Sequence, residues 1–247
     1  MNAENKPTHL IVGATGSIGS NLARRLADEG ARLALAGRDA DTLHALAQEL
    51  GASSHVLDGD PFACVELAAQ EAVEQHGSLH GVACCAGSLL LKPAHRTSAE
   101  ELREVLESNL VTAFASVRAG AQALRKNGGS IVLVSSAAAR LGLANHEAIA
   151  AAKAGVQGLV LSSAASYARQ GIRVNAVAPG LVESKLTEGL LNAPASRQAS
   201  ERMHALGRLG APGDVAAALA WLLDPQQSWV TGQVIAVDGG LSRVIAR

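Results

Sequence analysis

Thr8-His9-Leu10-Ile11-Val12-Gly13-Ala14-Thr15-Gly16-Ser17-Ile18-Gly19 is a short apolar run that leads straight into three spaced glycines and then into an amphipathic pattern. The run reads as a buried strand, and the pattern from 17 to 29 reads as a helix. Glycines between the two let the backbone turn sharply and come close to a ligand, while free N–H groups at the helix start favour an anion such as a pyrophosphate. Strand-to-helix turns also use glycine for steric reasons alone, so this loop takes its meaning from the rest of the chain.

The same strand-and-helix unit then recurs along the chain. Strand patterns lie at Thr8 to Val12, Arg32 to Ala36, Ser53 to Leu57, His80 to Cys84, Ser130 to Ser135, Ile172 to Val177 and Val234 to Val237. Helical patterns lie between them at about 17–29, 40–50, 61–76, 98–127, 144–170 and 212–223. This alternation predicts an α/β fold: a doubly wound, parallel, seven-stranded sheet of the Rossmann type, with its ligand crevice at the C-terminal ends of the strands. Residues 181–205 interrupt the rhythm with a polar, Ser- and Ala-rich stretch. A long excursion after the sixth strand suits a substrate lid, the plainer alternative being a surface helix pair with no gating role.

Composition narrows the function. The 247 residues show no break, repeat or low-complexity tract, which predicts one domain over 1–247. A formal net charge of -1 gives no general attraction to nucleic acid or to an anionic membrane. The apolar runs are short and punctuated, so no membrane span is expected, and Met1 to Pro7 lacks the apolar core of a secretion signal, which predicts a cytoplasmic protein. Cys64, Cys84 and Cys85 are odd in number and two are adjacent, which argues against a disulfide framework, and no His joins them at metal-ligand spacing.

The second strand ends Leu35-Ala36-Gly37-Arg38-Asp39. Dinucleotide folds place a carboxylate there to bind the ribose hydroxyls of NAD, or an Arg to accept the 2'-phosphate of NADP. Gly37 stands where the carboxylate is expected and Arg38 follows it, so NADP(H) is favoured over NAD(H). Asp39 can neutralise Arg38 or contact ribose itself.

Several further motifs, in order, give the chain a resemblance to the short-chain dehydrogenase/reductase family that covers nearly all of it. They are Val56-Leu57-Asp58, Cys85-Ala86-Gly87, Ser108-Asn109-Leu110, Ser130 to Ser136, Arg173-Val174-Asn175-Ala176-Val177-Ala178-Pro179-Gly180, Gly207-Arg208-Leu209-Gly210, Thr231-Gly232-Gln233 and Val237-Asp238-Gly239-Gly240. The resemblance implies a nicotinamide-dependent oxidoreductase of a carbonyl/alcohol pair. It implies that Gly13, Thr15, Ser17, Ile18 and Gly19 hold the cofactor, with Arg38, Asp58, Gly87, Lys153, Pro179, Gly180, Val182 and Ser184. It implies catalytic roles for Ser136, for Lys153 and, in support of the lysine, for Asn109. It also implies a homotetramer, to which the second long helix adds small side chains that allow close helix approach, among them Ala148, Ala150, Ala151, Ala152, Ala154, Ala164 and Ala165.

Two positions depart from the family pattern. Cys85 stands where an Asn is usual, and Ile149 stands four residues before Lys153, where the family has a Tyr. Carbonyl reduction needs a hydride on carbon and a proton on oxygen, and a positioned acid contributes about 100- to 10,000-fold in rate. Isoleucine supplies no proton. Tyr167, the one tyrosine of the chain, is fourteen residues beyond Lys153, about 21 Å along a continuous helix, and reads as packing. His146 lies three residues before 149 and would share its face in a continuous helix, which makes it the nearest substitute acid; Lys153 itself or a relayed water are the others. Two functions therefore compete: an NADP(H)-dependent oxidoreductase with altered acid chemistry, and a non-catalytic cofactor-binding homologue that acts as a sensor or structural subunit. The substrate pocket, with Leu89, Leu90, Leu91, Leu141 and Leu143, is expected to take a mostly apolar small molecule.

Overall fold

The computed structural model describes residues 6–245; Met1 to Asn5, most of the stretch bearing on a secretion signal, and residues 246–247 lie outside the described part. Seven strands, β1 (Thr8–Val12), β2 (Arg32–Gly37), β3 (Ser53–Val56), β4 (Gly81–Cys84), β5 (Gly129–Val134), β6 (Ile172–Pro179) and β7 (Val234–Val237), form one parallel sheet in the order β3-β2-β1-β4-β5-β6-β7. The order reverses between β1 and β4, so the connections leaving these strands part to opposite sides and leave a crevice at their C-terminal ends.

Helices cover both faces. They are α1 (Ser17–Asp28), α2 (Ala40–Leu50), α3 (Pro61–His76), α4 (Ala99–Leu106), α5 (Thr112–Leu124), α6 (Glu147–Tyr167), α7 (Glu188–Leu191), α8 (Pro194–Met203) and α9 (Pro212–Leu223). Every residue of β1 is buried, as expected for a central strand with helices on either side. Its even positions, Leu10 and Val12, pack with Ala34, Ala36 and the inner faces of α3, α5 and α6. Ile11 packs with Leu33, Leu35 and residues of α1, α2 and α9 on the other face.

The strands fall where the alternation predicts, with ends shifted by a residue or two. The predicted helix 98–127 is instead broken. α4 and α5 are separated by a wider π turn over Glu107–Val111. There the side chains compete with the backbone: Asn109 Nδ2 donates to the Val105 carbonyl at 2.9 Å and Thr112 Oγ1 to the Glu107 carbonyl at 2.9 Å. The predicted helix 144–170 begins later, at Glu147, because Asn145 adopts a left-handed φ of 64° and its carbonyl accepts from the Lys92 N–H. The 181–205 excursion is a helix pair, α7 and α8, with no buried residue in either.

Contrary to the expectation that no segment is apolar enough, Glu147–Gln170 is long and apolar enough to cross a membrane, at a mean hydropathy of 1.3. Its inner face, with Ile149, Lys153, Val156 and Val160, is buried in the fold, so it is the core helix of the sheet's second half.

Candidate active site and cofactor cleft

The turn after β1 sets the geometry of the cleft. The N–H groups of Gly13 and Ala14 both donate to the Ala36 carbonyl, at 2.8 and 3.0 Å, which folds the loop over the end of β2. Gly13 has a φ of 80°, and a Cβ there would lie 2.5 Å from the Ala86 nitrogen, so glycine is required for the loop to meet the end of β4. α1 then starts from Gly16 with no side-chain cap and no acidic residue in its first turn. The first N–H groups of that helix are thus left for an anion.

A cleft of about 790 Å³ opens in front of this turn, lined by Gly13, Thr15, Gly16, Gly37, Arg38 and Gly87 among others. An uncapped helix start, a glycine turn and an open cleft together fit a dinucleotide. Ser17, Ile18 and Gly19 lie on the first turn of α1. Asp58, just past β3, is exposed beside the lining residues Leu57 and Gly59.

Arg38 and Asp39 part company. The Asp39 carboxylate caps α2, accepting from the Thr42 N–H at 3.1 Å and the Thr42 hydroxyl at 2.8 Å. Those bonds hold its pKa below the ordinary carboxylate range, and the charge of Lys185 adds to the effect. Arg38 is exposed and belongs to none of the ion pairs among the described residues. The backbone N–H of Lys185, which no sequence motif singles out, lies 3.5 Å from Ser17 Oγ, and its charge acts on Asp39.

The chemical half gathers at the ends of β4, β5 and β6. Lys153 is 7% exposed, and its Nζ donates to the Val134 carbonyl at 2.8 Å. Burial lowers its pKa to about 8, against the smaller opposing effect of the neighbouring Cys84 and Cys85 thiols. Ser135 ties α6 to β5 by donating to the Lys153 carbonyl at 2.9 Å. Next to it, Ser136 Oγ accepts from the Ala138 N–H at 3.1 Å, which leaves the hydroxyl proton free to donate. Asn109 is buried and bonds both Ser88 and the Val105 carbonyl. A Cβ on Gly87 would lie 2.7 Å from Asn109 Oδ1 and 3.4 Å from Lys153 Nζ, so this glycine lets the β4 turn close over both.

Lys153, Asn109 and Gly87 are thereby brought together, with Ser136 two residues past the Val134 carbonyl that holds Lys153, although neither Ser136 nor Lys153 lines the large cleft itself. Cys85 does line it, with a thiol pushed up by burial and by Cys84, so it is neutral. Ile149 is 4% exposed and packs with Val105, Ala148, Ala152, Leu89 and Leu90. His146 differs from expectation. It precedes α6 in a non-helical conformation, φ -106° and ψ 12°, with Nδ1 bonded to the Ala144 carbonyl at 2.8 Å, so the shared-face argument fails for it. Tyr167 packs against the core as expected.

Two residues that the sequence reading missed pin the 181–205 excursion. Thr187 Oγ1 donates to the Val182 carbonyl at 2.6 Å and accepts from the Ser184 N–H at 3.1 Å. His204, 4% exposed, accepts from the Leu181 N–H through Nε2 and donates through Nδ1 to the Ser200 carbonyl. A Cβ on Gly180 would lie 2.7 Å from His204 Nε2, so that turn has room only for glycine, directly after Pro179. A lone His and a lone Thr carry no periodic or spacing signal, and only their contacts reveal them.

Comparison with known proteins agrees with this fold. The family profile described as Enoyl-(Acyl carrier protein) reductase matches residues 13–242. An uncharacterised oxidoreductase of Mycobacterium tuberculosis is 38% identical over 241 residues, covering 94% of this chain and 89% of the relative. The 3beta-hydroxysteroid dehydrogenase 1 of Eggerthella lenta is 34% identical, covering 95% and 93%. Among solved structures, a short-chain type dehydrogenase/reductase from Mycobacterium ulcerans superposes with a TM-score of 0.88 at 31% identity, covering 96% of this chain and 90% of that one. A variant of actinorhodin polyketide ketoreductase with NADPH superposes at 0.92 and 27% identity, covering 99% and 100%. By its sequence relatives and by the seven-stranded fold they share, the chain belongs to the short-chain dehydrogenase/reductase family and is an oxidoreductase of that type.

Proposed function

We propose that the protein is an NADP(H)-dependent oxidoreductase of a carbonyl/alcohol pair on a mostly apolar small molecule, with Lys153 supplying the proton that a phenol would otherwise give. The observation that carries this reading is Lys153 itself: buried, bonded to the Val134 carbonyl and lowered to a pKa of about 8, close to the range in which a side chain both holds and gives up a proton. Ser136, whose hydroxyl proton is free, orients the substrate oxygen. Asn109 acts through the β4 turn, holding Ser88 and with it the position of Gly87 over the lysine.

When bound, the nicotinamide dinucleotide supplies or takes the hydride. Gly13, Thr15, Ser17, Ile18 and Gly19 would hold its diphosphate, Asp58 its adenine, and Gly87, Pro179, Gly180, Val182 and Ser184 its nicotinamide half. Arg38 would pair with a 2'-phosphate, a reading supported by the engagement of Asp39 with Thr42. NADPH in the polyketide ketoreductase neighbour supports the same preference. An apolar substrate is supported by the cluster of Leu89, Leu90, Val105 and Ile149, and by the steroid named for the Eggerthella relative.

Titration with NADPH followed by turnover with a panel of apolar ketones tests the reading. Tight NADPH binding without turnover of any ketone would favour the second reading, a cofactor-binding homologue without catalysis, which the apolar packing of Ile149 supports. A homotetramer built on α5 and α6 is part of the proposal. Phe114 and Leu161 stand about half or more exposed on these helices, at 49% and 62%, and Ala151, Ala154 and Ala165 leave α6 open to close approach. Light scattering that gives a monomer at micromolar concentration would rule it out.

A further inference from the structure

Neither α7 nor α8 has a buried residue, yet the residues that bracket the pair are buried: Thr187, directly before α7, and His204, directly after α8. Both bond back to the turn that follows β6. Thr187 Oγ1 donates to the Val182 carbonyl at 2.6 Å, and His204 Nε2 accepts from the Leu181 N–H at 3.1 Å. Arg197, on α8, adds an exposed ion pair with Glu183, which contributes little by itself. Three contacts of the excursion therefore land on three consecutive residues, Leu181, Val182 and Glu183.

Of these contacts only His204 bonds both the turn and a helix. Because its Nε2 accepts, the ring proton lies on Nδ1, and it is donated to the Ser200 carbonyl of α8 at 2.7 Å. One ring in one tautomer thus joins α8 to the turn. Elsewhere the turn is held by its backbone: the Gly180 N–H donates to the Val237 carbonyl at 3.2 Å, and the Leu181 carbonyl accepts from the Gly210 N–H at 2.9 Å. The Leu181 N–H has no protein partner but His204. Gly180, Leu181 and His204 also line a cavity of about 310 Å³, so the turn is not backed by packed side chains on that side.

We propose that His204 is a positioning residue that ties α8 to the Gly180–Leu181 turn, so that order in the turn that holds the nicotinamide half of the cofactor and order in the α7–α8 pair rise and fall together. The inference rests on the reading that Gly180, Val182 and Ser184 hold that half. Gly180 packs so closely on the ring, with room for no Cβ, that a shift of α8 carried by His204 reaches the turn directly. A cofactor that fixes the turn therefore fixes the end of α8 as well, through the Leu181 and Ser200 bonds in series.

Two variants separate the two bonds. His204→Asn sets an amide N–H near the place of Nδ1 and keeps the Ser200 bond alone; His204→Gln sets an amide oxygen near the place of Nε2 and keeps the Leu181 bond alone. The readouts are amide hydrogen exchange and NADPH titration of the full chain. Without cofactor, the Leu181 amide is expected to exchange about 3- to 10-fold faster in His204→Asn than in the unaltered protein or in His204→Gln. NADPH affinity is expected to fall by about 3- to 10-fold in His204→Asn and to stay within about twofold in His204→Gln. NADPH should slow exchange across α8 in the unaltered protein and in neither variant, since each breaks one half of the tie. Equal affinities in all three proteins, an equal loss in both variants, or α8 exchange that ignores bound NADPH in the unaltered protein would each overturn the proposal. If His204→Asn does not fold, NADPH that slows α8 in His204→Gln as much as in the unaltered protein overturns it too. An unaltered protein that binds no NADPH would instead remove the cofactor reading; the Leu181 exchange rates then still decide, and equal rates in His204→Asn and the unaltered chain would show that His204 does not hold the turn.

Discussion

Lys153 Nζ lies 2.8 Å from the carbonyl oxygen of Val134, so the one buried ammonium of α6 is anchored to the end of β5, two residues before Ser136. That contact fixes a proton-bearing group at the end of the strand that leads to the proposed substrate-orienting hydroxyl, without any contribution from position 149.

If Lys153 gives the proton, reduction needs its charged form. The lowered pKa means that form is lost as pH rises through about 8, and kcat/KM for ketone reduction is expected to fall tenfold per pH unit above that value. Lys153→Arg, which does not titrate in this range, should abolish the dependence along with most of the rate. A flat profile in the unaltered enzyme between about pH 7 and about pH 9 would exclude the lysine as the acid.

The same shift has a consequence for stability. The folded chain holds this lysine at about 8 against an ordinary 10.5, so between those values the unfolded chain binds more protons and stability rises with pH. Below about 8 the buried charge costs on the order of 3 kcal/mol at most. Lys153→Met is therefore expected to stabilise the cofactor-free protein at neutral pH, read as a higher midpoint in denaturant with an unchanged slope. A lower midpoint would mean that the Val134 contact outweighs desolvation.

Arg38→Ala is expected to weaken NADPH binding by about 10- to 100-fold, the usual worth of a hydrogen bond to a charged group, and to leave NADH binding nearly unchanged. Lys185→Ala removes a positive charge close enough to act on Asp39 at the same end of the cleft, and is expected to weaken NADPH more than NADH. Fluorescence or calorimetric titration of each variant decides this. Equal affinities for NADPH and NADH in the unaltered protein would remove the role given to Arg38.

Ile149→Tyr places a phenol one helical turn from Lys153 and is expected to speed ketone reduction, up to about 100- to 10,000-fold. The larger ring enters a packed cluster with Val105, Leu89 and Leu90, so a stability loss of about 1–3 kcal/mol should accompany the gain. His146→Ala is expected to change neither rate nor binding, since its ring is turned to the Ala144 carbonyl. A folded, NADPH-binding tyrosine variant with no gain would mean that the pocket is shaped for something other than carbonyl reduction.

Much of this protein was legible in one dimension. Apolar runs of about five residues alternating with longer amphipathic ones specify a parallel sheet between helices, because each strand must be covered on both faces, and the glycine turn after Val12 marks where that sheet opens. Ser136, Asn109 and Lys153 could be named from motif order, and the structure brings Asn109 and Lys153 together under the β4 turn.

Other features depend on side-chain bonds, backbone conformations and long-range contacts that an apolar periodicity does not record. The break at Glu107–Val111 follows from Asn109 and Thr112 competing for helical carbonyls, and a periodic apolar pattern does not register that competition. The late start of α6 follows from the left-handed Asn145, and it is what removes His146 from the helix face. Asp39 was ambiguous until the Thr42 bonds assigned it to helix capping, and Lys185 became relevant only because the chain after β6 returns to Ser17, 168 residues away. The lowered pKa of Lys153 is likewise a property of the enclosing fold: the sequence determined that a lysine stands there beside an isoleucine, and burial decided how tightly it holds its proton.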